Sequence, residues 1–275
     1  MTRAPQTSSE SKLDVGNDVN GQIKVTVIEG HATILICNTK RRNAISKAMW
    51  QAIAEAIHTC DADRDIRLIS IRGAGGTFVS GADISEFTAN RDNPEQARAY
   101  EAANGAAFAA LRKARTPTLA LIEGYCFGGG VGLAAACDLR FASSTARFAI
   151  PAAKLGLAYP LEGMRDLVWL IGPAATKKLF FTADPIDAIE AQAMRLVEDV
   201  VSENRFEEAA KEYADTLLSR APLTQVAAKF AIGSVVGSVD ESEARKAADV
   251  CFASHDYAEG RNAFLEHRAP VFKGH

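Results

Sequence analysis

The sequence is poor in the features that mark secreted, membrane-bound or nucleic-acid-binding proteins. Its five cysteines are scattered and lack the spacing of metal ligands or of a disulfide framework, so we expect reduced thiols and no metal site. No apolar stretch approaches bilayer-spanning length, and the polar start, MTRAPQTSSESKLD, contains no apolar signal segment. The net charge of -3, with no basic cluster beyond Arg41 and Arg42, argues against nucleic acid. We therefore expect a cytoplasmic protein without membrane or nucleic-acid partners.

The apolar pattern divides the 275 residues into three parts. Residues 1–20 are rich in serine, asparagine and charge and predict a flexible tail. From 21 to 200, strand-like segments such as IKVTVIEG and ATILICN alternate with helical stripes, one beginning near Ser46 and another spanning Pro94 to Lys113. This alternation predicts an α/β core with a largely parallel sheet. Residues 201–275 show helical periodicity and predict a C-terminal helical region.

Two glycine-rich loops, each placed after a predicted strand, suggest a site for negative charge. The first is GGTFVSGADISEF (75–87), in which Asp83 lies near a predicted helix cap; the second is EGYCFGGGVGLAAACD (123–138). Backbone N–H groups at a helix start lack intrahelical partners, and glycine lets a ligand approach them closely. Two such loops can aim two N–H groups at one oxygen, forming an oxyanion hole. Taken singly, each loop is equally well explained as a turn needed only for packing.

The two loops, together with NTKRRNAISKAMW, FFTADPIDAIEAQAMRLVEDVV and HDYAEGRNAFLEHRAPVFKG, resemble the crotonase (enoyl-CoA hydratase/isomerase) superfamily. The resemblance runs from about residue 22 to residue 274. It implies an α/β spiral of ββα units. It also implies a C-terminal helical region that serves in oligomerisation, as a homotrimer or dimer of trimers, and covers the active site.

The resemblance also implies a ligand and the residues that bind it. The ligand is an acyl-CoA thioester, whose carbonyl oxygen accepts hydrogen bonds from the N–H groups of Ala82 and Gly129. Coenzyme A belongs to the substrate, so no separate cofactor is implied. The adenine lies near the 80–84 loop, and the phosphates meet basic side chains. The implied substrate-binding residues are Arg41, Arg42, Ala44, Ser80, Gly81, Asp83, Ile84, Gly128 and Lys273.

The sequence departs from the superfamily at the two glutamates that activate water in its hydratases. Gly132 and Ala152 stand at those positions, so the usual pair of carboxylates for acid–base catalysis is missing. The oxyanion hole is untouched, because it uses backbone groups. Glutamate has a better helix propensity than glycine, so we expect Gly132→Glu to be tolerated.

Three functions remain open at this stage. Hydration or isomerisation could use Glu162 or Asp166, although such a residue is more often simply a charge near a helix start, stabilised by the helix dipole. Decarboxylation of a 2-carboxyacyl-CoA needs no base, and a glutamate would repel the substrate's carboxylate. The stretch from Lys154 is similar to methylmalonyl-CoA decarboxylases, which also lack both glutamates and carry an active-site tyrosine matching Tyr159. Decarboxylation is therefore the favoured prediction, and a non-catalytic acyl-CoA-binding protein is the third.

Overall fold

The computed structural model describes residues 11–18, 21–83 and 94–275, and its spine is a seven-stranded sheet. The strands are β1 (Ser11–Asp18), β2 (Gly21–Ile28), β3 (His31–Cys37), β4 (Leu68–Gly73), β5 (Thr118–Ile122), β6 (Tyr125–Phe127), β7 (Leu139–Ser143), β8 (Arg147–Ala149), β9 (Ile186–Asp187) and β10 (Asp199–Val201). The large sheet has the order β1-β2-β3-β4-β5-β7-β10, and β6, β8 and β9 form a small second sheet. The pairs from β3 to β10 are parallel, as the sequence predicted.

Helices separate the parallel strands along the chain. They are α1 (Lys47–Ala62), α2 (Pro94–Lys113), α3 (Gly129–Ala136), α4 (Ala152–Leu155), α5 (Leu161–Thr182, kinked at Gly172), α6 (Ala188–Ala193), α7 (Phe206–Leu218), α8 (Pro222–Val235), α9 (Glu241–Phe252) and α10 (His255–Leu265). α1 lies between β3 and β4, and α2 lies between β4 and β5. Two consecutive parallel strands must be joined by a crossover connection, which is usually a helix. The alternation of strands and helices in the sequence therefore places α1 and α2 against the sheet.

The prediction of a flexible tail over residues 1–20 is wrong for residues 11–18. These residues form β1, which pairs antiparallel with β2 from Ser11 opposite Val27 to Asp18 opposite Gly21. The pairing uses backbone groups, so a polar composition does not prevent it. Residues 1–10 and 19–20 lie outside the described residues.

The core joins α1 and α2 through Trp50. Ser46 caps α1 by accepting a hydrogen bond from the Met49 N–H, and the predicted stripe of Met49, Trp50, Ile53 and Ile57 is buried. The Trp50 Nε1 donates to the Tyr100 hydroxyl of α2 at 3.2 Å. A buried indole N–H needs such an acceptor, so this bond fixes how the two helices lie against each other.

The C-terminal helices expose many large apolar side chains. α8 contacts the core through Lys229, whose Nζ lies 2.7 Å from Asp138 Oδ2. β10 belongs to the large sheet, so the helical region begins after Val201. The exposed apolar side chains of α8, α9 and α10 include Ile232, Val235, Phe252, Phe264 and Leu265. Among the described residues, no helix combines the length and apolar character needed to cross a membrane.

Candidate active site

The two glycine-rich loops lie side by side. The Val79 N–H donates to the Tyr125 carbonyl at 2.8 Å, and the Phe127 N–H donates to the Val79 carbonyl at 2.8 Å. A Cβ built on Gly128 would lie 3.9 Å from the Gly81 Cα, so the loops touch at their glycines. This short parallel ladder brings the end of the first loop to the start of α3.

Two backbone donors face one cavity where the loops meet. Gly129 is the first residue of α3, so its N–H has no acceptor within the helix. Ile45 bonds to Gly81 and Asp83 on either side of Ala82, which leaves the Ala82 N–H pointing the other way. Within the described part of the chain neither N–H has an acceptor, and both residues line the same cavity. This is the arrangement that the predicted oxyanion hole requires.

The cavity has about 780 Å³ of empty volume including its open mouth. One wall is apolar and comes from Ile150, Pro151, Ala152, Leu155 and Leu157. The other lining residues include five with polar side chains, Trp50, Ser80, Glu101, Asn104 and Tyr159, and four from the two glycine loops, Gly81, Ala82, Gly128 and Gly129.

Close packing explains why glycines begin α3. A Cβ on Gly129 would lie 2.8 Å from Trp50 Cζ2, and one on Gly130 would lie 2.8 Å from Val79 Cβ. Gly128 also has a φ of +53°, which is strained for residues with a side chain. Only a chain without Cβ atoms can bring these N–H groups to the cavity at this distance from the core.

Tyr159 occupies the space beside Gly132. A Cβ on Gly132 would lie 2.5 Å from the Tyr159 hydroxyl and 2.6 Å from Phe108 Cζ, so the expectation that Gly132→Glu is tolerated is wrong. Tertiary packing overrides helix propensity here. The Tyr159 hydroxyl donates to the Gly128 carbonyl at 3.1 Å, and burial raises the pKa of this phenol well above its ordinary value. Tyr159 is therefore a neutral donor in the cavity wall.

The structure does not bring Glu162 or Asp166 to the cavity. Glu162 is exposed in the first turn of α5 and is not a lining residue. Asp166 is buried and pairs with Arg112, whose Nη1 lies 2.5 Å from its carboxylate. Burial raises the pKa of Asp166 to about 6, and the Arg112 charge opposes this rise. Asp166 therefore joins α2 to α5 rather than facing the ligand space.

Several predicted substrate-binding residues cluster beside the first loop. Arg41 pairs with Asp83 at 2.5 Å, and the Ser80 hydroxyl donates to the Arg41 carbonyl at 3.1 Å. The Arg42 guanidinium lies 5.2 Å from the centre of the Tyr125 ring. Both arginines are exposed next to Ser80, which lines the cavity, so they can meet a phosphate outside its mouth.

The other predicted binding residues are Ala44, Ile84 and Lys273, and of the described ones neither Ala44 nor Lys273 lines the cavity. Ala44 is buried, and its carbonyl accepts from Asn38 Nδ2 at 2.8 Å. Ile84 lies outside the described residues. Lys273 is exposed and does not line the cavity; its backbone N–H donates to Asp256 at 2.7 Å.

Sequence reasoning missed Glu101 and Asn104, which both line the cavity from α2. They are one helical turn apart, and Phe108 follows on the same face. In the sequence, this face is a pair of polar residues in an otherwise alanine-rich helix. That signal was available, but only the neighbouring loops reveal that it faces the ligand space.

Comparisons with known proteins agree with this fold. A family model for enoyl-CoA hydratase/isomerase matches residues 28–275. The crotonyl-CoA hydratase of Syntrophomonas wolfei is 34% identical over 88% of this chain and 94% of its own. The short-chain-enoyl-CoA hydratase of Clostridium acetobutylicum is 32% identical over 86% of this chain and 92% of its own.

Solved structures that are similar to this chain also include enoyl-CoA hydratases. The crystal structure of an enoyl-CoA hydratase/carnithine racemase from Magnetospirillum magneticum matches with a TM-score of 0.88 and 33% identity, covering 97% of each chain. An enoyl-CoA hydratase from Bacillus anthracis matches with a TM-score of 0.84 and 28% identity, over 93% of this chain and all of the other. The predicted crotonase-like fold is thereby confirmed, and the chain belongs to the enoyl-CoA hydratase/isomerase family of acyl-CoA-transforming enzymes.

Proposed function

We propose that this enzyme hydrates the double bond of an enoyl-CoA thioester through an enolate. The observation that carries the proposal is the pair of N–H donors, Ala82 and Gly129, that face one cavity without protein acceptors among the described residues. When water adds at C3, electrons move to the thioester oxygen, which these donors stabilise. One such donor contributes about two to three powers of ten to kcat.

Hydration is favoured over the other reactions by the relatives and by the charge in the cavity. The two relatives described above are named hydratases. Hydration needs a group that moves protons, and Glu101 places a carboxylate at the cavity although Gly132 and Ala152 cannot. The hydratase alternative therefore replaces decarboxylation, which the sequence favoured, as the main proposal.

Decarboxylation of a 2-carboxyacyl-CoA is the second candidate. It is supported by the neutral Tyr159 phenol beside Gly132, whose single O–H would turn from the Gly128 carbonyl to a substrate carboxylate without repelling it. The carboxylate of Glu101 opposes it, because two carboxylates in one apolar cavity repel each other.

We also propose that the enzyme acts as a homotrimer or dimer of trimers in the cytoplasm. The large apolar side chains that α8, α9 and α10 leave exposed support assembly, because a monomer gains nothing from exposing them. Assembly would also decide whether Lys273 meets a phosphate at a neighbour's site. Light scattering after size-exclusion chromatography measures the mass, and a monomer at micromolar concentration contradicts this assembly.

A substrate screen tests the function. Crotonyl-CoA hydration is followed by loss of enoyl absorbance, and decarboxylation of methylmalonyl-CoA and malonyl-CoA by release of CO₂. We expect enzyme-like turnover of crotonyl-CoA and little CO₂. Rapid CO₂ release without hydration would replace the main proposal by the second candidate. Binding of acyl-CoA in calorimetry without turnover of any thioester would leave only a binding protein.

A further inference from the structure

We propose that Glu101 and Asn104 form the polar half of the active site. The Glu101 carboxylate moves the proton between water and C2, and the Asn104 amide holds the water that attacks C3. The role of Asn104 rests on the hydration function proposed above. The role of Glu101 requires only that the enzyme form an enolate at C2.

The first argument is the unused hydrogen-bonding capacity of the pair. Among the lining residues with polar side chains, Ser80, Trp50 and Tyr159 each have a partner within the protein. The side chains of Glu101 and Asn104 have no hydrogen bond or ion pair within the described part of the chain. Asn104 is only 6% exposed, and its Oδ1 is buried without a partner. A buried amide is costly to leave unsatisfied, which points to a ligand as its partner.

The second argument is the position of the helix that carries the pair. The Tyr100 hydroxyl donates to the Ile45 carbonyl at 2.7 Å and accepts from Trp50. Ile45 bridges to Ala82, and the Trp50 ring lies where a side chain on Gly129 would be. One tyrosine thus ties α2 to the supports of both oxyanion donors. The polar pair is held in fixed register with the oxygen on which negative charge develops.

The chemistry balances with one carboxylate. Glu101 takes a proton from the water that Asn104 holds, while the water oxygen bonds to C3. The C2–C3 π electrons move to form the C1–C2 double bond of the enolate, and the thioester oxygen gains the charge at Ala82 and Gly129. The neutral Glu101 then returns the proton to C2, and the C1–O double bond re-forms. One carboxylate gives up and regains its charge, so no second acid is required.

Two reactions separate the roles of the pair. Crotonyl-CoA hydration needs both the base and the held water. Exchange of the C2 protons of butyryl-CoA with deuterium from D₂O, followed by proton NMR, needs the base and the oxyanion hole but no water at C3. Affinity for butyryl-CoA is measured by calorimetry, and folding by circular dichroism.

For Glu101→Gln we expect hydration and C2 exchange to fall together, by about a hundredfold or more, with butyryl-CoA affinity retained. Glu101→Asp should recover part of both rates, which also keeps the test valid if the amide variant folds poorly. Glu55→Gln is the matched control, because Glu55 is an exposed helix glutamate that does not line the cavity. Both of its rates should equal those of the wild type.

For Asn104→Leu we expect hydration to fall about tenfold or more while C2 exchange continues at the wild-type rate. Exchange that survives in Glu101→Gln, or is absent from the wild type, overturns the role of Glu101. Equal losses of both rates in Asn104→Leu overturn the water-holding role. A wild type that exchanges C2 protons through Glu101 but hydrates no enoyl-CoA upholds Glu101 and rejects both the hydratase function and the role of Asn104.

Discussion

Replacing Gly132 by alanine should destabilise the protein although alanine is the better helix former. The added Cβ would lie 2.5 Å from the Tyr159 hydroxyl and 2.6 Å from Phe108 Cζ, distances that real Cβ atoms do not show. Tyr159 is held by its bond to the Gly128 carbonyl, and Phe108 packs edge-on against Trp50 with ring centres 5.7 Å apart. Moving the Tyr159 ring would break its hydrogen bond, and moving the Phe108 ring would disturb its packing against Trp50.

The expected size follows from two opposing effects. Overpacking a close-packed core costs about 1–3 kcal/mol. Replacing glycine by alanine inside a helix gains about 1 kcal/mol. Gly132→Ala should therefore lower the free energy of unfolding by up to about 2 kcal/mol. An increase of about 1 kcal/mol, the gain expected from helix propensity alone, should not be observed. Gly105→Ala isolates that gain, because Gly105 lies within α2 and a Cβ there meets no atom within 4 Å.

Guanidinium unfolding of the wild type and both variants, at one protein concentration, measures the difference. Gly105→Ala should shift the midpoint upward and Gly132→Ala downward. Equal upward shifts for the two variants would show that Tyr159 and Phe108 do not fill the space beside Gly132. In that case the double variant Gly132→Glu with Ala152→Glu, which restores the hydratase pair, should fold. The contacts beside Gly132 predict instead that this double variant does not fold stably.

Three further predictions concern the donors, the amide and a buried acid. Gly129→Pro removes one N–H and should lower kcat by about two to three powers of ten. Gly129→Ala keeps that N–H while meeting the same Trp50 ring, so equal rates in the two variants would contradict the oxyanion role. Asn104→Leu should unfold at the same or a higher denaturant concentration than the wild type, because an unsatisfied buried polar group costs about 1–3 kcal/mol; a large loss of stability would mark Asn104 as structural. Burial raises the folded-state pKa of Asp166 from 3.8 to about 6, so the neutral acid stabilises the fold at low pH and this stability is lost as pH rises through that range. The wild type should therefore lose stability relative to Asp166→Asn between about pH 4 and pH 7, despite the opposing Arg112 charge, and a pH-independent difference would refute this.

Local patterns in the sequence were sufficient for most elements of the fold. The apolar stripe that begins near Ser46 located α1, and the alanine-rich run located α2 at Pro94–Lys113. These elements follow from short-range preferences that the sequence carries directly. β1 was missed because an antiparallel strand can form on backbone hydrogen bonds to β2 alone, and composition does not report those bonds.

In the candidate site, too, the features that depend on local sequence were predicted and those that depend on distant contacts were not. The glycines predicted where backbone donors would meet, since glycine is required wherever a helix start approaches Trp50 and Val79 this closely. The side chains were harder, because their contacts join distant parts of the chain. Gly132 was judged by helix propensity alone, and only the fold shows that Tyr159, on a different segment, occupies the space beside it.

An oxyanion hole made of backbone constrains the rest of the site less than a side-chain catalyst would. Ala82 and Gly129 offer their N–H groups whatever their neighbours carry, so the proposed enolate stabilisation does not depend on the two hydratase glutamates. The proton-moving group need only reach C2 and C3 from some wall of the cavity. Gly132 has Tyr159 in the space beside it and Ala152 carries no acid, so α2 supplies the carboxylate at the cavity among the described residues. The proposed role of Glu101 follows from that arrangement, because neither Gly132 nor Ala152 supplies an acid and Glu101 stands on the remaining wall.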